Sequence, residues 1–298
     1  MGFVAASGVG LGLKLVVVCP GGAVTGGPEA MHQLVSTANR VERNSAAILY
    51  WPFNREHSTP EPYVRYVVPK IRRDQVPDDA VVVLPEIWPD MAHTFRNRCA
   101  LWWLSVDNFG THGQHNLERI SLHLCQSDYA WQFTQGFGER MMLTDWVEVP
   151  EVEVERADQV VVNPAKDAGL LEGFLAAGKF DIVALRGFDR VGVARVLRGS
   201  RVYVDFGHHP GRDRLPREAA LAGCIVFSTK RGAAKYDKDM PLPDWYKFDR
   251  LDEVLENVAS VVSGRTTAFD QQAKYRAWVA ENKSWFESEV RSLLARVE

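Results

Sequence analysis

The sequence predicts an α/β fold of two doubly wound domains that face each other across a central cleft. Short apolar runs recur along its 298 residues at intervals of about 20 to 30 positions. Several of these runs are apolar almost throughout, which is typical of strands buried on both faces of a parallel sheet. Helical patterns lie between the runs, and strand alternating with helix is the pattern of α/β proteins.

The elements follow in regular order along the chain. Apolar runs predict strands at 14–20, 46–51, 80–86, 99–105, 121–127, 159–164, 180–185, 201–206 and 224–229. Helices are predicted at 28–39, 88–97, 127–138, 167–177, 188–198 and 216–222. The acidic segment 147–159 interrupts the alternation and is interpreted as the join between two halves, part of which can form an edge strand. We therefore expect an N-terminal domain over 1–150, a second domain over 151–275 and a closing helical segment over 276–298.

Composition excludes several classes of protein. A net charge of −3 provides no general attraction for nucleic acid, so no nucleic-acid partner is expected. No apolar run approaches the length of about 18 residues that a transmembrane helix needs, and residues 1–12 are interpreted as a loose leader. The cysteines are widely separated, lack zinc or disulfide spacing, and are predicted to be buried thiols of a reducing, cytoplasmic compartment. They are Cys19, Cys99, Cys125 and Cys224.

A glycine-rich loop follows the first predicted strand and opens a helix at Pro28. Its residues Gly22, Gly26 and Gly27 leave the backbone bare, which allows close approach of a phosphate or an acceptor sugar. The loop does not match the dinucleotide-binding pattern GxGxxG, and no acidic residue ends the second strand, so NAD is a weak alternative. A glycine-rich turn without a ligand also remains open.

The segment 204–235 contains a strand, a basic loop and a short helix predicted to begin at Pro216. A helix N-terminus carries about half a positive charge, and Arg212, Arg214 and Arg217 add to it. Charge-assisted hydrogen bonds from these groups would hold an anion, although a solvated loop is the simpler alternative. Glu218 does not suit a site for anions alone, but it suits ribose hydroxyls beside a diphosphate.

The stretch "PREAALAGCIVFST" resembles the C-terminal-domain motif of GT-B glycosyltransferases of the GT-4-like group, and "VVVNPAKD" resembles the first strand of that domain. The resemblance implies two Rossmann-like domains, with C-terminal helices that cross back to the N-terminal domain. It implies that Glu218 holds the ribose of a nucleotide sugar and that Lys166 contacts the diphosphate. Further residues of the donor site would then be Arg212, Gly211, Leu215 and Pro216.

The sequence departs from this pattern in the loop before the helix, and at 298 residues it is also compact for two such domains. Retaining members carry a second glutamate eight residues before the first, and here that position is Pro210, so the stereochemical outcome stays open. Nearby His208, His209 and Asp213 have no metal-ligand spacing. Neither the residues nor the resemblance implies a metal, and no cofactor is expected beyond the nucleotide sugar itself.

The first half supplies candidate acids and bases at predicted strand ends. Asp107 follows the strand at 99–105 and is a candidate general base for an acceptor hydroxyl, although a turn cap is an equally good interpretation. The same loop contains His112 and His115. Glu86 is a second candidate base.

Other conspicuous side chains of the first half have simpler explanations. His32 is interpreted as a packed helix residue. Strand alternation predicts that one of Trp102 and Trp103 lies in the core and the other is partly exposed, and core packing is favoured over sugar stacking.

These observations together predict a glycosyltransferase that moves a sugar from a nucleoside diphosphate donor to a carbohydrate, lipid-linked or small-molecule acceptor. Lys166, Arg217 or Arg212 and the N-terminus of the 216–222 helix would stabilise the departing nucleotide. Contact with the inner face of a membrane is open, because many members of the resembled family act on lipid-linked acceptors. The alternatives are an epimerase or hydrolase acting on a nucleotide sugar, and a non-catalytic nucleotide- or carbohydrate-binding protein.

Overall fold

The computed structural model describes residues 12–109, 116–167, 169–264 and 267–297, and it places two parallel sheets in them. The first sheet has the order β2-β1-β3-β4-β5-β6. Its strands are β1 (Leu15–Pro20), β2 (Ala46–Trp51), β3 (Val81–Pro85), β4 (Cys99–Trp103), β5 (Ile120–Cys125) and β6 (Arg140–Met142). Its helices are α1 (Gly26–Val41) and α2 (Asp128–Phe133), with short 3-10 helices at Glu61–Tyr66, Arg73–Gln75, Pro89–Thr94 and Val106–Asn108.

The second sheet has the order β11-β10-β9-β7-β8. Its strands are β7 (Ala157–Val162), β8 (Asp181–Ala184), β9 (Ser200–Asp205), β10 (Ile225–Thr229) and β11 (Lys247–Phe248). The helices of this half are α3 (Leu171–Ala176), α4 (Arg190–Gly199), α5 (Arg214–Leu221), α6 (Leu251–Val262), α7 (Ala268–Gln271) and α8 (Ala273–Arg296), with 3-10 helices at Ala233–Lys235 and Asp244–Tyr246. Within the described ranges, no helix combines the length and apolar character that a membrane crossing needs.

The predicted alternation is confirmed in outline, but the helix predicted at 88–97 was wrong: that segment forms only a short 3-10 helix, Pro89–Thr94. Each of the nine predicted strands is present within a few residues of its expected position. The sequence prediction missed β6 and β11, which are only three and two residues long. Helix α5 begins at Arg214, two residues before Pro216, and α1 begins at Gly26, two residues before Pro28. Each proline therefore lies in the first helical turn, where its missing N–H breaks no intrahelical hydrogen bond.

Helix α8 joins the cores of the two halves. Near its start, Tyr275 and Val279 pack in the core of the second half. Further along, Phe286 and Val290 pack in the core of the first half. The expected return of the C-terminal helix to the N-terminal domain is thus confirmed. The boundaries near 150 and 275 remain predictions, because a single helix contributes to both cores.

Several individual predictions concern buried side chains. Trp102 and Trp103 are both fully buried, so partial exposure of one was wrong; β4 lies inside the sheet and both its faces are covered. His32 is buried and hydrogen-bonded to the Pro28 carbonyl at 2.6 Å and the Tyr50 hydroxyl at 2.7 Å, which confirms its packed role. The four cysteines are all buried, as predicted.

The halves meet through the basic loop between β9 and α5. The backbone N–H of Val106 donates to the Pro210 carbonyl at 2.8 Å. A Cβ atom at Gly211 would collide with the Leu104 carbonyl oxygen, so glycine is required for this close approach. The loop is therefore held directly against the end of β4 in the other half.

A buried ion pair reinforces this contact. Nη2 of Arg217 donates to both carboxylate oxygens of Asp145, at 2.8 and 2.9 Å. Both side chains are almost completely buried, with exposed fractions of 1% and 2%. Arg217 belongs to α5, whereas Asp145 lies in the segment after β6, so the pair connects the second half to the first.

Replacing Asp145 with alanine is expected to lower the free energy of unfolding by about 3–5 kcal/mol, because it leaves the Arg217 guanidinium buried without its carboxylate. Urea denaturation would measure the loss as a lower midpoint at unchanged slope. The double variant Asp145→Leu/Arg217→Met should recover most of it, since no buried charge is left unpaired. An exposed pair gives the control: Asp74→Ala, which removes the partner of Arg72, should leave the midpoint unchanged. A wild-type midpoint for Asp145→Ala would contradict this account.

Candidate functional site

Two adjoining cavities lie between the halves, at the carboxyl ends of both sheets. The α4–α5 cavity, of about 430 Å³, is lined by side chains of α4 and α5 and by the start of α1. The strand-end cavity, of about 420 Å³, is lined by residues that follow β1, β3, β4, β5, β7 and β9. Thr25 and Gly26 line both cavities, so the glycine-rich loop forms the wall between them. Carboxyl ends of parallel strands are where doubly wound proteins bind their ligands.

Glu218 lines the α4–α5 cavity with 19% of its side chain exposed. Its Oε1 lies 3.4 Å from Nη2 of Arg214. Burial raises the pKa of Glu218; Arg214 opposes this shift and the nearby carboxylate of Glu29 adds to it. Glu29 also contacts Arg214, at 3.1 Å, and accepts a hydrogen bond from the Tyr66 hydroxyl at 2.7 Å. Two carboxylates therefore share Arg214 at this wall. Because Glu29 is also paired with Arg65 and Arg190, Glu218 is the one with more capacity left to accept hydroxyl groups.

The strand-end cavity contains three cationic side chains, each paired with a carboxylate. Nζ of Lys166 lies 2.6 Å from Asp213, and Nε of Arg212 lies 2.9 Å from Asp239. Arg214 completes the set through its contact with Glu29. Lys166 is the most exposed of the three, at 37% of its side chain against 7% for Arg212 and 15% for Arg214. An anion entering this cavity would therefore meet Lys166 first.

Asp213 is held between Lys166 and a buried histidine. Nδ1 of His209 lies 3.0 Å from Asp213, and its Nε2 lies 2.9 Å from Oγ of Ser228. Burial lowers the pKa of His209, but its contact with Asp213 and the charges of Asp205 and Asp213 outweigh this, so the net shift is upward. Burial raises the pKa of Asp213, while His209 and Lys166 lower it by a larger amount. Asp213 is thus an ionised anchor that orients Lys166.

The neighbouring histidine points elsewhere. Nε2 of His208 lies 2.6 Å from Oδ2 of Asp107, across the two halves. Among the described residues, no group of three or more histidine, cysteine, aspartate or glutamate side chains is arranged to hold a metal ion. The prediction that the protein needs no metal stays a prediction.

Glu86 directly follows β3 and lines the strand-end cavity. Its side chain is almost completely buried, and its Oε2 accepts a hydrogen bond from the Leu104 N–H at 3.3 Å. Burial raises the pKa of Glu86 to about 7, although hydrogen bonds from backbone groups and from Asn108 act in the opposite direction. A carboxyl group that titrates near neutral pH inside a cleft can exchange a proton with a bound hydroxyl.

Asp107, the first candidate base, has a different environment. Its side chain is 40% exposed and accepts a hydrogen bond from the Tyr129 hydroxyl at 3.0 Å in addition to its contact with His208. It lines neither of the two cavities, whereas Glu86 does. The other candidates of that loop, His112 and His115, lie outside the described residues.

The remaining predicted residues divide into two groups. Those that line a cavity are Gly26, Gly27, Lys166, Arg212, Leu215 and Glu218. Those that line neither are Gly22, Gly211, Pro216 and Arg217. Gly22 forms a turn with φ of +77°, Gly211 forms the contact between the halves, and Pro216 is buried in α5. The Arg217 guanidinium is bound by Asp145, so in this geometry it supports the fold rather than a bound diphosphate.

Sequence reasoning missed several cavity residues. Phe188 and Arg190, at the start of α4, line the α4–α5 cavity together with Glu29. Their position in the sequence could have identified them, because they follow the end of strand β8 in the same way that Lys166 follows β7. No sequence pattern indicated the role of Asp145, since it lies in a segment without regular structure.

Comparison with known proteins gives matches among solved structures alone. No family model matches the chain, and no curated protein matches its sequence. Sucrose-phosphate synthase from Thermosynechococcus elongatus superimposes with a TM-score of 0.66 at 10% identity, covering 95% of this chain and 99% of that one. The lipopolysaccharide outer core galactosyltransferase WaaB gives 0.65 at 10% identity, with coverages of 95% and 99%. A trehalose-6-phosphate structure from E. coli, which holds UDP-2-fluoro glucose, gives 0.61 at 10% identity, with coverages of 95% and 98%.

The chain has the GT-B fold. The matches extend over nearly the whole of both chains, so both halves and the crossing of α8 belong to this architecture. At 10–12% sequence identity, a shared fold does not assign functions to individual residues. Those roles rest on the geometry of the two cavities.

The raised pKa of Glu86 has a measurable consequence for stability. Its folded-state pKa of about 7 exceeds the ordinary value of 4.5, so folding favours the protonated form. As pH rises from about 4.5 to above 7, wild type should lose about 3 kcal/mol of unfolding free energy relative to Glu86→Gln, at ~1.4 kcal/mol per pKa unit. Urea denaturation of both proteins across this range measures the difference.

The matched control is Glu172→Gln, at an exposed position of α3, which should follow wild type at every pH. Parallel stability curves for wild type and Glu86→Gln would show that Glu86 has an ordinary pKa.

Proposed function

We propose that the protein is a glycosyltransferase that moves a sugar from a nucleoside diphosphate sugar to an acceptor hydroxyl. The observation that supports it most is the pair of adjoining cavities, with a carboxylate suited to a ribose in one and the partly exposed Lys166 in the other. Because Thr25 and Gly26 line both cavities, one extended ligand that passes this loop would contact both of them. The GT-B neighbours support this proposal, and one of them holds a nucleotide-sugar analogue.

The nucleoside part of the donor would occupy the α4–α5 cavity. Glu218 would accept hydrogen bonds from the ribose hydroxyls, and its partly exposed carboxylate has lone pairs free for them. Phe188, Leu215 and Val193 supply apolar surface for a base. Sites of this kind combine a mostly apolar lining with a few placed polar groups.

The diphosphate would lie in the strand-end cavity beside the first turn of α5. Lys166 would bind it while Asp213 stays ionised through its contact with His209. Arg212 and the positive end of α5 would add to the stabilisation of the leaving nucleotide. These fixed positive groups would perform the role that a metal ion has in other transferases, so no metal and no further cofactor is proposed.

Glu86 is the proton acceptor that the geometry favours. An attacking hydroxyl must lose its proton, and a base is most effective when its pKa lies near the working pH. Glu86 meets this condition inside the cavity, whereas Asp107 lies outside it in contact with His208. A base on the acceptor side suits an inverting displacement and agrees with proline at position 210.

Further parts of the proposal rest on sequence reasoning. The acceptor is a carbohydrate, lipid-linked or small-molecule hydroxyl compound, and nucleic acid is not a partner. A cytoplasmic location is proposed from the four buried thiols, with contact at the inner membrane face in the case of a lipid-linked acceptor.

Donor binding should appear as a shift in thermal unfolding. Among UDP, GDP, dTDP, CDP, ADP and NAD, one nucleoside diphosphate at about 100 times its dissociation constant should add roughly 2.7 kcal/mol, or several degrees in Tm. Glu218→Gln should lose most of the shift, and Glu172→Gln should keep it. A shift with NAD alone, or with none of the compounds, would rule out the proposed donor site.

The same donor distinguishes the alternatives. Consumption of the nucleotide sugar without any acceptor would identify a hydrolase or epimerase, and binding without turnover would identify a non-catalytic protein.

The pH dependence of transfer tests the base. In wild type, kcat/KM should rise as pH increases through about 7, because only ionised Glu86 accepts a proton. Glu86→Gln should lower kcat/KM by about 10²–10⁴-fold and abolish the rise, with donor binding unchanged. Asp107→Asn should retain the rise. If Asp107→Asn abolishes it and Glu86→Gln does not, Asp107 is the base.

A further inference from the structure

A third cavity, of about 580 Å³, lies beside the strand-end cavity on the first half. We name it the Trp51–Trp88 groove. Its lining includes Trp51, Ile87, Trp88, Asp90, Met91 and Arg73. The groove is built where β2 and β3 end, at the same sheet edge as the proposed active site.

The two tryptophans form an aromatic platform. Their ring centroids lie 4.6 Å apart with an angle of 48° between the planes. Trp51 ends β2 with 39% of its surface exposed. Trp102 and Trp103, in contrast, are fully buried in the same sheet. The exposed part of the Trp51 side chain therefore contributes little to the core and is accessible from the groove.

Arg73, which lines the groove, is held in place by a cation–aromatic contact. The Arg73 guanidinium lies 3.2 Å from the centroid of the Phe95 ring and hydrogen-bonds to the Thr94 carbonyl. Asp90 supplies a polar rim, and its Oδ1 accepts from the backbone N–H of Asn116 at 3.1 Å. The groove therefore combines aromatic surface from two tilted indole rings with a carboxylate among its lining residues.

The groove adjoins the proposed active site. Ile87 lines both the groove and the strand-end cavity. Of its two neighbours, Glu86 lies in the strand-end cavity and Trp88 in the groove. Residues two apart in the chain are separated by no more than about 7 Å. A molecule with its reacting hydroxyl at Glu86 would thus extend onto the tryptophans.

We propose that the Trp51–Trp88 groove binds a sugar ring of an oligosaccharide acceptor, next to the sugar that receives the transfer. A pyranose ring has an apolar C–H face that fits an indole ring and hydroxyl groups at its edge that would donate to Asp90. This inference rests on the proposed function and narrows the acceptor to a carbohydrate of at least two sugars. A lipid chain is a poorer match because Asp90 and Arg73 interrupt the apolar surface.

Binding of labelled protein to a printed oligosaccharide array tests the inference. Wild type should bind a defined set of glycans, and Trp51→Ala and Trp88→Ala should each weaken that binding about tenfold or more. The matched control is Trp245→Ala, in the second half, since Trp245 is exposed to nearly the same extent, 38%. It should leave glycan binding unchanged, and all three variants should keep the thermal shift with the donor nucleotide, which also shows that they are folded.

Each contrary result has a definite meaning. Absence of glycan binding by wild type, or equal binding by wild type and both groove variants, would overturn the inference. Binding that depends on Trp51 but is seen only with vesicles of phosphatidylcholine and phosphatidylglycerol would overturn it in favour of a lipid. A nucleotide shift without glycan binding refutes the groove and leaves the proposed function standing. Glycan binding without any nucleotide shift would support the groove as a sugar site and refute the proposed donor site.

Discussion

The contact of Asp145 with Arg217 fixes the geometry on which the rest of the cleft depends. Asp145 also accepts a hydrogen bond from Nε2 of Gln126, at 2.9 Å, and Oε1 of Gln126 accepts the backbone N–H of Arg212 at 2.8 Å. One buried network thus links the end of β5, the segment after β6 and the start of α5. Buried ion pairs are costly to desolvate, and their clearest contribution is to select one arrangement over others. Here they set the position of the basic loop relative to the first half, and with it the shape of both cavities.

The second constraint is that the cations of the cleft are already paired. Lys166, Arg212 and Arg214 each contact a carboxylate, so the cleft has no large positive field, in keeping with the net charge of −3. A diphosphate would have to replace these carboxylates or share the cations with them. Binding would therefore depend more on shape complementarity in the cleft than on long-range electrostatic attraction. Asp213 can share Lys166 readily, because His209 remains beside it to balance its charge.

The sequence predicts the fold well because strands buried on both faces appear in the sequence as continuous apolar runs. All nine of these runs form strands in the structure. Local motifs also located Glu218 and Lys166 on the cavities. Arg217 and Asp107 were harder, since their partners Asp145 and His208 lie 72 and 101 residues away along the chain. A basic residue at the start of a helix looks the same in sequence whether it faces a ligand or a buried carboxylate. Only the tertiary contact separates the two cases.

The comparison of Glu86 with Asp107 shows what burial adds to a sequence pattern. Both carboxylates follow a strand of the first sheet, so pattern alone treats them as equivalent candidates. Folding buries Glu86 under the end of β4 and leaves Asp107 solvated beside His208. Desolvation then raises the pKa of Glu86, because a low-dielectric environment disfavours the charged form. Since Trp88 follows Glu86 by only two positions, the turn after β3 that buries the carboxyl group also sets the aromatic platform next to it. A change in the length of this turn would therefore alter proton transfer and acceptor placement together.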